Sequence, residues 1–159
     1  MTDPMKALQS FQEEFLLHNP QLASGVIDPN LRVYFDVAEG EIRVTYVRLE
    51  GNTVTALVNL FESDPIDGIH CYSIGYAVAE AYRNQGRAKE IVAAAIAELK
   101  HELAQSGQTV FYVEAVIGAD NLASQRVAEQ VISNTPTPIT DQVSGLPALY
   151  YVRKIEPQA

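Results

Sequence analysis

The chain has 159 residues, of which 47% are hydrophobic and 19% charged, and its formal net charge is −9 at pH 7. These values are typical of one soluble globular domain, so we expect a single domain over residues 1–159. An acidic surface repels phosphate backbones, which argues against a nucleic-acid partner and is compatible with a cationic one such as an amine or a basic peptide. Acidity also serves plain solubility.

The chain offers no membrane or export signal. No apolar run approaches the roughly 20 residues that cross a bilayer, and residues 1–4 do not begin the basic-then-apolar pattern of a secretory signal. The single cysteine, Cys71, excludes an intrachain disulfide and is typical of a reducing compartment. We therefore expect a cytoplasmic protein without a membrane partner.

The first half of the chain predicts one helix followed by a run of strands. Asp3-Pro4 predicts a helix start and Asn19-Pro20 its end. Between them, apolar residues recur at helical spacing at Leu8, Phe11, Phe15 and Leu16. Residues 20–30 are predicted to form a loop. Alternating side chains and turn residues then predict an antiparallel meander of four strands, at 31–37, 42–49, 53–61 and 69–78.

In the second half of the chain, the spacing of apolar residues changes at residue 88 from the alternation of strands to that of a helix. Apolar residues share one helical face from Ala88 to Leu103, and Gly107 is predicted to end this helix. The apolar run 109–117 is typical of a buried central strand. Asp120-Asn121 is predicted to cap a short helix. Three further expectations follow: an inner face of Ala123, Val127 and Val131, a loop over 134–147, and a last strand over 148–155.

The segment that carries chemistry joins the fourth strand to the second helix, which begins at a glycine. The first N–H groups of a helix lack internal partners and carry the positive end of the helix dipole. Gly86 has no side chain and Ala88 a small one, so phosphate oxygens can approach the backbone. Arg83, Arg87 and Lys89 add positive charge. The segment predicts an anion site, although a lone glycine turn also fits a plain strand–turn–helix.

Two sequence motifs resemble those of the GNAT N-acetyltransferases and follow each other in the same order as in that family. The family's cofactor motif is Q/R-x-x-G-x-G/A at a strand–helix junction, and here it reads Arg83-Asn84-Gln85-Gly86-Arg87-Ala88. The second signature is a buried strand followed by N-x-x-S at the next helix start, and here residues 114–117 lead into Asn121-Leu122-Ala123-Ser124. The chain resembles the branch that includes the ribosomal-protein N-terminal acetyltransferases, and the resemblance spans residues 41–154 in element order.

This resemblance implies an α/β fold, with a mostly antiparallel mixed sheet flanked by helices. Its central strand pair, at 69–78 and 109–117, would splay apart and hold acetyl-CoA as co-substrate. An acetyl group would pass directly to a primary amine of a small molecule or of a peptide or protein N-terminus. A peptide, a polyamine and an amino sugar all remain open as acceptors, as do the acyl-chain length and the oligomeric state, with a homodimer possible.

The resemblance also assigns cofactor-binding roles to residues. Main-chain groups around Ala77 and Val78 would bond the pantetheine arm and polarise the thioester carbonyl. The pyrophosphate would be held by the segment Arg83, Asn84, Gln85, Gly86, Arg87 and Ala88. Asn121 would reach the pantetheine region, and Ser124 would either join it or bond the backbone of the first helical turn.

The chain departs from the family pattern at two places. Many members carry, on the helix after the asparagine, a tyrosine that protonates the leaving thiolate, and the matching residue here is Ala128. Members usually continue to Gly-Phe after this helix, whereas this chain reads 131–134 as Val-Ile-Ser-Asn. Ala128 motivates an alternative function, a non-catalytic CoA-binding sensor or interaction module. A plain interaction domain requires the motifs to be accidental.

Transfer to an ammonium group needs a base, and Glu114 is the leading candidate. It lies in an otherwise apolar strand, where an unpaired carboxylate is costly. It is therefore predicted either to act as the base or to pair with a lysine or arginine. Glu80 is the second candidate, with exposure to solvent as its alternative. Three tyrosines are interpreted as acids or as packing residues, namely Tyr112, Tyr150 and Tyr151. Cys71 is interpreted as a small apolar filler. The three histidines are scattered along the chain and are predicted to form no metal site: His18, His70 and His101.

Overall fold

The computed structural model describes residues 3–157, and within them one eight-stranded sheet carries helices on both faces. The helices are α1 (Pro4–His18), α2 (Arg87–Gln105) and α3 (Leu122–Val131). The strands are β1 (Ala23–Ser24), β2 (Arg32–Ala38), β3 (Glu41–Glu50), β4 (Thr53–Ile66), β5 (Ile69–Val78), β6 (Phe111–Gly118), β7 (Thr137–Thr140) and β8 (Pro147–Ile155). A short 3-10 helix, Glu80–Tyr82, follows β5.

The sheet has the order β1-β2-β3-β4-β5-β6-β8-β7, and β5 and β6 form its one parallel pair within residues 3–157. Hairpins account for the antiparallel part from β2 to β5. The crossover from β5 to β6 contains α2, which is the connection that a parallel pair requires. The predicted α/β fold with a mostly antiparallel mixed sheet is confirmed.

One face of the sheet packs against α2 and α3. The predicted apolar face of α2 is buried there, and its residues Ile91, Val92, Ala95, Ile96 and Leu99 join the main core. Phe111, Val113, Ala115 and Ile117 alternate along β6 and point to the same side. This packing fixes the start of α2 beside the end of β5.

The opposite face packs against α1, over Val47, Val54 and Leu57. Asp3 caps α1 by accepting a hydrogen bond from the Met5 N–H group, and Asn19 ends the helix in the left-handed conformation with φ 41°. Both predicted ends are confirmed. The helix covers only part of this face, because it lies over β4 and the last residues of β5 and leaves β6 and β8 uncovered.

A buried carboxylate holds the loop before β2 against α2. Glu98 is 5% exposed and accepts hydrogen bonds from the main-chain N–H groups of Val26, Ile27 and Asp28. The carboxylate thus satisfies three consecutive donors of a loop, which explains how a charged residue is accommodated on the inner face of a helix.

Several elements differ from the sequence predictions. The predicted loops at 20–30 and 134–147 contain the short strands β1 and β7, and β4 continues beyond residue 61 to Ile66. These segments are extended because they pair with a neighbouring strand. Their amino-acid composition does not predict that pairing. On α1, Leu16 is exposed and Ala7 is buried instead. On α3, the buried residues are Gln125, Ala128 and Val131, while the predicted Ala123 is exposed.

Candidate active site

The two central strands separate after three paired positions. Residues 71–73 of β5 pair with residues 112–114 of β6, and the last pair is Ser73 with Glu114. Beyond it, residues 74–78 pair only with β4 and residues 115–118 only with β8. The facing edges of the two strands therefore present main-chain donors and acceptors without a strand partner. The predicted splay is present, and Ala77 and Val78 lie on its β5 edge.

The loop from β5 to α2 exposes the start of a 19-residue helix. Asn84 and Gly86 both adopt positive φ, at 63° and 73°, and all residues from 83 to 86 are exposed. Gly86 is the N-cap of α2 and provides no side-chain cap. Unpaired N–H groups at the positive end of the helix dipole are thus open to an anion.

The two arginines of this loop are already engaged. The Arg87 guanidinium pairs with Glu50 at 2.9 Å, donates from Nε to Gln85 Oε1 at 3.1 Å and lies over the Tyr82 ring, 4.9 Å from its centroid. Arg83 Nε donates to the Val78 carbonyl at 3.2 Å. Since these contacts fix the guanidinium of Arg87, an anion at this site would depend chiefly on main-chain N–H groups.

The start of α3 lies on the other side of the opening and is tied to β5. Asn121 caps the helix, because its Oδ1 accepts from the Ser124 N–H group at 3.2 Å. Tyr76 Oη, on the diverging half of β5, donates to the Ser124 carbonyl at 2.6 Å. The Ser124 hydroxyl forms no hydrogen bond within residues 3–157, so the predicted side-chain bond to the first helical turn is absent there.

Glu114 accepts three hydrogen bonds at the vertex of the opening. Cys71 Sγ and Tyr150 Oη donate to its Oε1 at 3.0 and 3.1 Å, and Ser73 Oγ donates to its Oε2 at 3.0 Å. Glu114 makes no ion pair with a described residue, so its predicted alternative, pairing with a lysine or arginine, is wrong for this part of the chain. Burial and the bond to Glu114 raise the pKa of the Cys71 thiol to about 12. Burial, with the nearby Glu114 charge, also raises the pKa of Tyr150, so both groups remain protonated donors at neutral pH.

Ser73 and Cys71 are the site residues that sequence reasoning missed. They are two apart on β5, so they share a face, and that spacing was the one available signal. Their proximity to Glu114 depends on the register between β5 and β6, which the sequence does not reveal. Tyr150 was among the three tyrosines considered as acids, and it is the one that contacts Glu114.

The other candidates lie away from Glu114. Glu80 is exposed in the short helix after β5, seven residues along the chain from Ser73. Tyr151 is fully buried in the core, and its hydroxyl has no hydrogen-bond partner in the described chain. Ala128 is also fully buried in the core. The structure therefore brings Tyr150, and neither Glu80 nor Tyr151, to the vertex.

An acidic cavity of about 400 Å³ opens beside Ser73 on the α1 side of the sheet. Its acidic lining residues are Glu39, Glu41, Glu62 and Asp64. Glu62 Oε1 lies 2.6 Å from His70 Nδ1. The field of four carboxylates favours a cation in this cavity and repels an anion.

Two kinds of feature are absent from residues 3–157. No three His, Cys, Asp or Glu side chains are grouped so that they could hold a metal ion. No helix in this range has the length and apolarity needed to cross a membrane.

Comparison with known proteins identifies the family. Residues 8–132, well over half of the chain, match the sequence model described as Acetyltransferase (GNAT) family. The chain belongs to the GNAT acetyltransferase family. No curated protein sequence matches it.

Solved GNAT structures share the fold. The acetyltransferase of GNAT family from Streptococcus pneumoniae is 12% identical, with a TM-score of 0.54 over 97% of this chain and 96% of its own. RimL, a ribosomal L7/L12 alpha-N-protein acetyltransferase solved with coenzyme A, is 21% identical, with a TM-score of 0.51 over 73% of this chain and 64% of its own. AAC(6')-Ib, solved with ribostamycin and coenzyme A, is 14% identical, with a TM-score of 0.54 over 70% and 63%. The match thus spans less than two thirds of RimL and of AAC(6')-Ib, and the likeness concerns the fold.

Proposed function

We propose that this GNAT protein is an acetyl-CoA-dependent N-acetyltransferase that moves the acetyl group directly to a primary amine. The observation that supports this most strongly is the position of Glu114, at the vertex where β5 and β6 diverge. The diverging strand leads to the exposed start of α2, which favours an anion. The acidic cavity, which favours a cation, begins at Ser73 beside the same carboxylate. A carboxylate between the two is well situated to take a proton from an ammonium group.

The residues around the opening fit the parts of acetyl-CoA, which supplies an activated acetyl thioester when bound. The main-chain N–H groups from Asn84 to Ala88 suit the pyrophosphate, because Gly86 leaves the approach open. The unpaired edge of β5 at Ala77 and Val78 suits the amides of the pantetheine arm. On the other side, Asn121 and Ser124 in the first turn of α3 are assigned to the same arm, and the Ser124 hydroxyl is available for it.

The chain's own groups then supply the chemistry. Glu114 takes a proton from the acceptor ammonium, directly or through a water molecule, since an amine of pKa about 10 is otherwise protonated at pH 7. Main-chain N–H groups on the β5 edge donate to the carbonyl oxygen as negative charge develops there. The amine nitrogen forms its bond to the acetyl carbon, the carbon–sulfur bond breaks, and the nitrogen's second proton passes to the departing thiolate, which gives the amide and a thiol of pKa near 8.5.

A non-catalytic CoA-binding module of the same fold is the second candidate, and one observation favours it. Ala128 replaces the tyrosine acid of many GNAT members and is fully buried. The second half of α3 therefore offers no phenol at this position. In the catalytic reading, the thiolate leaves unassisted or takes a proton from Tyr150, whose phenol lies 3.1 Å from Glu114.

The test is a transfer assay with acetyl-CoA and three amines of different class, namely spermidine, glucosamine and a free-N-terminus hexapeptide library without lysine. Release of the CoA thiol and formation of acetylated product are measured together. Equal amounts of the two products with any amine support the enzyme. Binding of acetyl-CoA without transfer to any of them would favour the non-catalytic module.

A further inference from the structure

The Ser73 side chain belongs both to the hydrogen-bond cluster around Glu114 and to the acidic cavity. Its Oγ donates to Glu114 Oε2 at 3.0 Å. Ser73 is half-buried and lines the cavity, whereas Glu114 is not among the lining residues. The other two donors to Glu114, Cys71 and Tyr150, do not line it either. Among residues 3–157, Ser73 is therefore the one through which the cavity contacts the Glu114 carboxylate.

The two carboxylate oxygens of Glu114 have different surroundings. Oε1 accepts from Cys71 Sγ at 3.0 Å and from Tyr150 Oη at 3.1 Å, while Oε2 accepts from Ser73 alone within the described chain. A carboxylate has about two lone-pair sites on each oxygen, so both sites of Oε1 are occupied. A proton that reaches this carboxylate is therefore received at Oε2, the oxygen that Ser73 contacts.

The Ser73 hydroxyl can accept a hydrogen bond in addition to the one that it donates. Its single proton points to Glu114, and no group within residues 3–157 donates to its oxygen, which has two acceptor lone pairs. An ammonium in the cavity can donate to this oxygen. Its nitrogen then lies within about 6 Å of Glu114 Oε2, over two hydrogen bonds of about 3 Å each. The other cavity-lining serine, Ser63, donates instead to the Cys71 carbonyl at 3.2 Å.

We propose that Ser73 is a catalytic residue that relays a proton from the acceptor ammonium to Glu114. This inference rests on the proposed function and adds a residue to it. The ammonium N–H bond breaks as an O–H bond forms at Ser73 Oγ, and the original Oγ–H bond breaks as an O–H bond forms at Glu114 Oε2. The step yields a neutral amine, an unchanged serine and a protonated Glu114. The four exposed carboxylates of the cavity attract the ammonium to Ser73, and reverse transfer to cavity water restores Glu114 after the product leaves.

The experiment compares the single-turnover rate of acetyl transfer in the wild type and four variants. The acceptor is whichever of spermidine, glucosamine and a lysine-free hexapeptide the wild type acetylates fastest. Ser73→Ala removes the hydroxyl, and Ser73→Thr supplies it again on a strand, where threonine is favoured. Each control shares one property of Ser73. Ser63→Ala removes a cavity hydroxyl that does not contact Glu114, and Cys71→Ala removes a donor to Glu114 that does not line the cavity. Thermal unfolding shows that each variant is folded, and a titration measures acetyl-CoA affinity.

The relay predicts a large loss in one variant only. Ser73→Ala should lower the single-turnover rate about 100-fold, the lower end of what a positioned proton-transfer group contributes. Ser73→Thr should keep most of the wild-type rate, and acetyl-CoA affinity should not change in either. Each control should lose less than about fivefold, the effect of one hydrogen bond between neutral groups. A wild-type rate in Ser73→Ala would overturn the inference. An equal loss in Cys71→Ala would overturn it too, because Ser73 would then only hold Glu114 in place.

The number of protons that move in the rate-limiting step separates a relay from a positioning contact. The same single-turnover rates are measured in mixtures of ordinary and heavy water. Two protons move when the ammonium reacts through Ser73, so the wild-type rate should follow a curve against the deuterium fraction. A straight line for the wild type would overturn the relay and leave the proposed function standing. Failure of the wild type to acetylate any of the three amines would instead reject the proposed function, and this inference with it.

Discussion

Ser73 Oγ donates a 3.0 Å hydrogen bond to Glu114 Oε2, and these two residues form the last pair that joins β5 to β6. Their contact therefore marks the vertex of the opening between the strands. Ser73 also lines the acidic cavity. One side-chain contact thus connects the proposed cofactor site with the cavity that favours a cation.

Replacing Glu114 tests the assignment of the base. Glu114→Gln should lower kcat at least about 100-fold, because the amide cannot take a proton from the ammonium group. The variant should fold, since the hydroxyls of Ser73 and Tyr150 can rotate to meet an amide. Steady-state kinetics with the best acceptor measure the effect, and Glu129→Gln, at an exposed position on α3, is the control. A full rate for Glu114→Gln, or an equal loss for Glu80→Gln, would contradict the assignment.

The thiol of Cys71 is expected to be inert in the folded protein. It is fully buried and donates to Glu114, and its pKa is raised to about 12. Alkylation by iodoacetamide should therefore be slow at pH 7 and should not accelerate by pH 9, whereas an unfolded thiol of pKa about 8.5 ionises over that range. The chain in guanidinium chloride provides the comparison. Rapid native alkylation that follows an ordinary thiol pKa would show that the bond to Glu114 does not persist in solution.

Removing the charge of Glu98 should destabilise the fold. Glu98→Gln weakens the hydrogen bonds that the carboxylate accepts from the loop at Val26, Ile27 and Asp28. The expected decrease in the free energy of unfolding is about 2 kcal/mol, as for hydrogen bonds to a charged group. Urea unfolding measures it, with Glu102→Gln, one turn further along α2 and exposed, expected to change less than about 0.5 kcal/mol. Equal effects of the two substitutions would mean that the loop is not held by Glu98.

Loss of the hydroxyl should change the free energy of unfolding differently at two buried tyrosines. Tyr151 Oη has no partner among the described residues, so Tyr151→Phe should leave the free energy of unfolding unchanged or raise it. Tyr76 Oη donates to the Ser124 carbonyl at 2.6 Å, so Tyr76→Phe should lower it by about 1 kcal/mol. Thermal unfolding of the two variants side by side measures the difference. A larger loss for Tyr151→Phe would show that its hydroxyl has a partner in solution.

Local signals predicted much of the fold. Asp3-Pro4 and Asn19 determine the ends of α1, and the apolar face of α2 is buried as its spacing indicates. Gly86 begins α2 because the backbone there requires a positive φ, which glycine adopts without strain. These features depend on neighbouring residues in the chain, so one sequence contains the information.

Features that depend on register were not predictable in the same way. Glu114 stood out as a carboxylate in an apolar strand, but its partners Cys71, Ser73 and Tyr150 come from two other strands. The opening between α1 and strands β2, β3 and β4 likewise depends on where α1 lies across the sheet. Such contacts between distant segments are determined by the packing of the whole domain. The residue pattern within one helix or strand does not predict them.

Acetyl-CoA binding at the start of α2 is tested most directly by a calorimetric titration of the folded wild type, Gly86→Glu and Gly107→Glu. Both glycines have positive φ, at 73° and 82°, so the two substitutions introduce similar backbone strain at opposite ends of α2. We expect saturable one-site binding by the wild type and by Gly107→Glu, and at least tenfold weaker binding by Gly86→Glu, because a carboxylate there repels the pyrophosphate. No binding by the folded wild type, or equal affinity of the wild type and Gly86→Glu, would contradict a cofactor site at the start of α2.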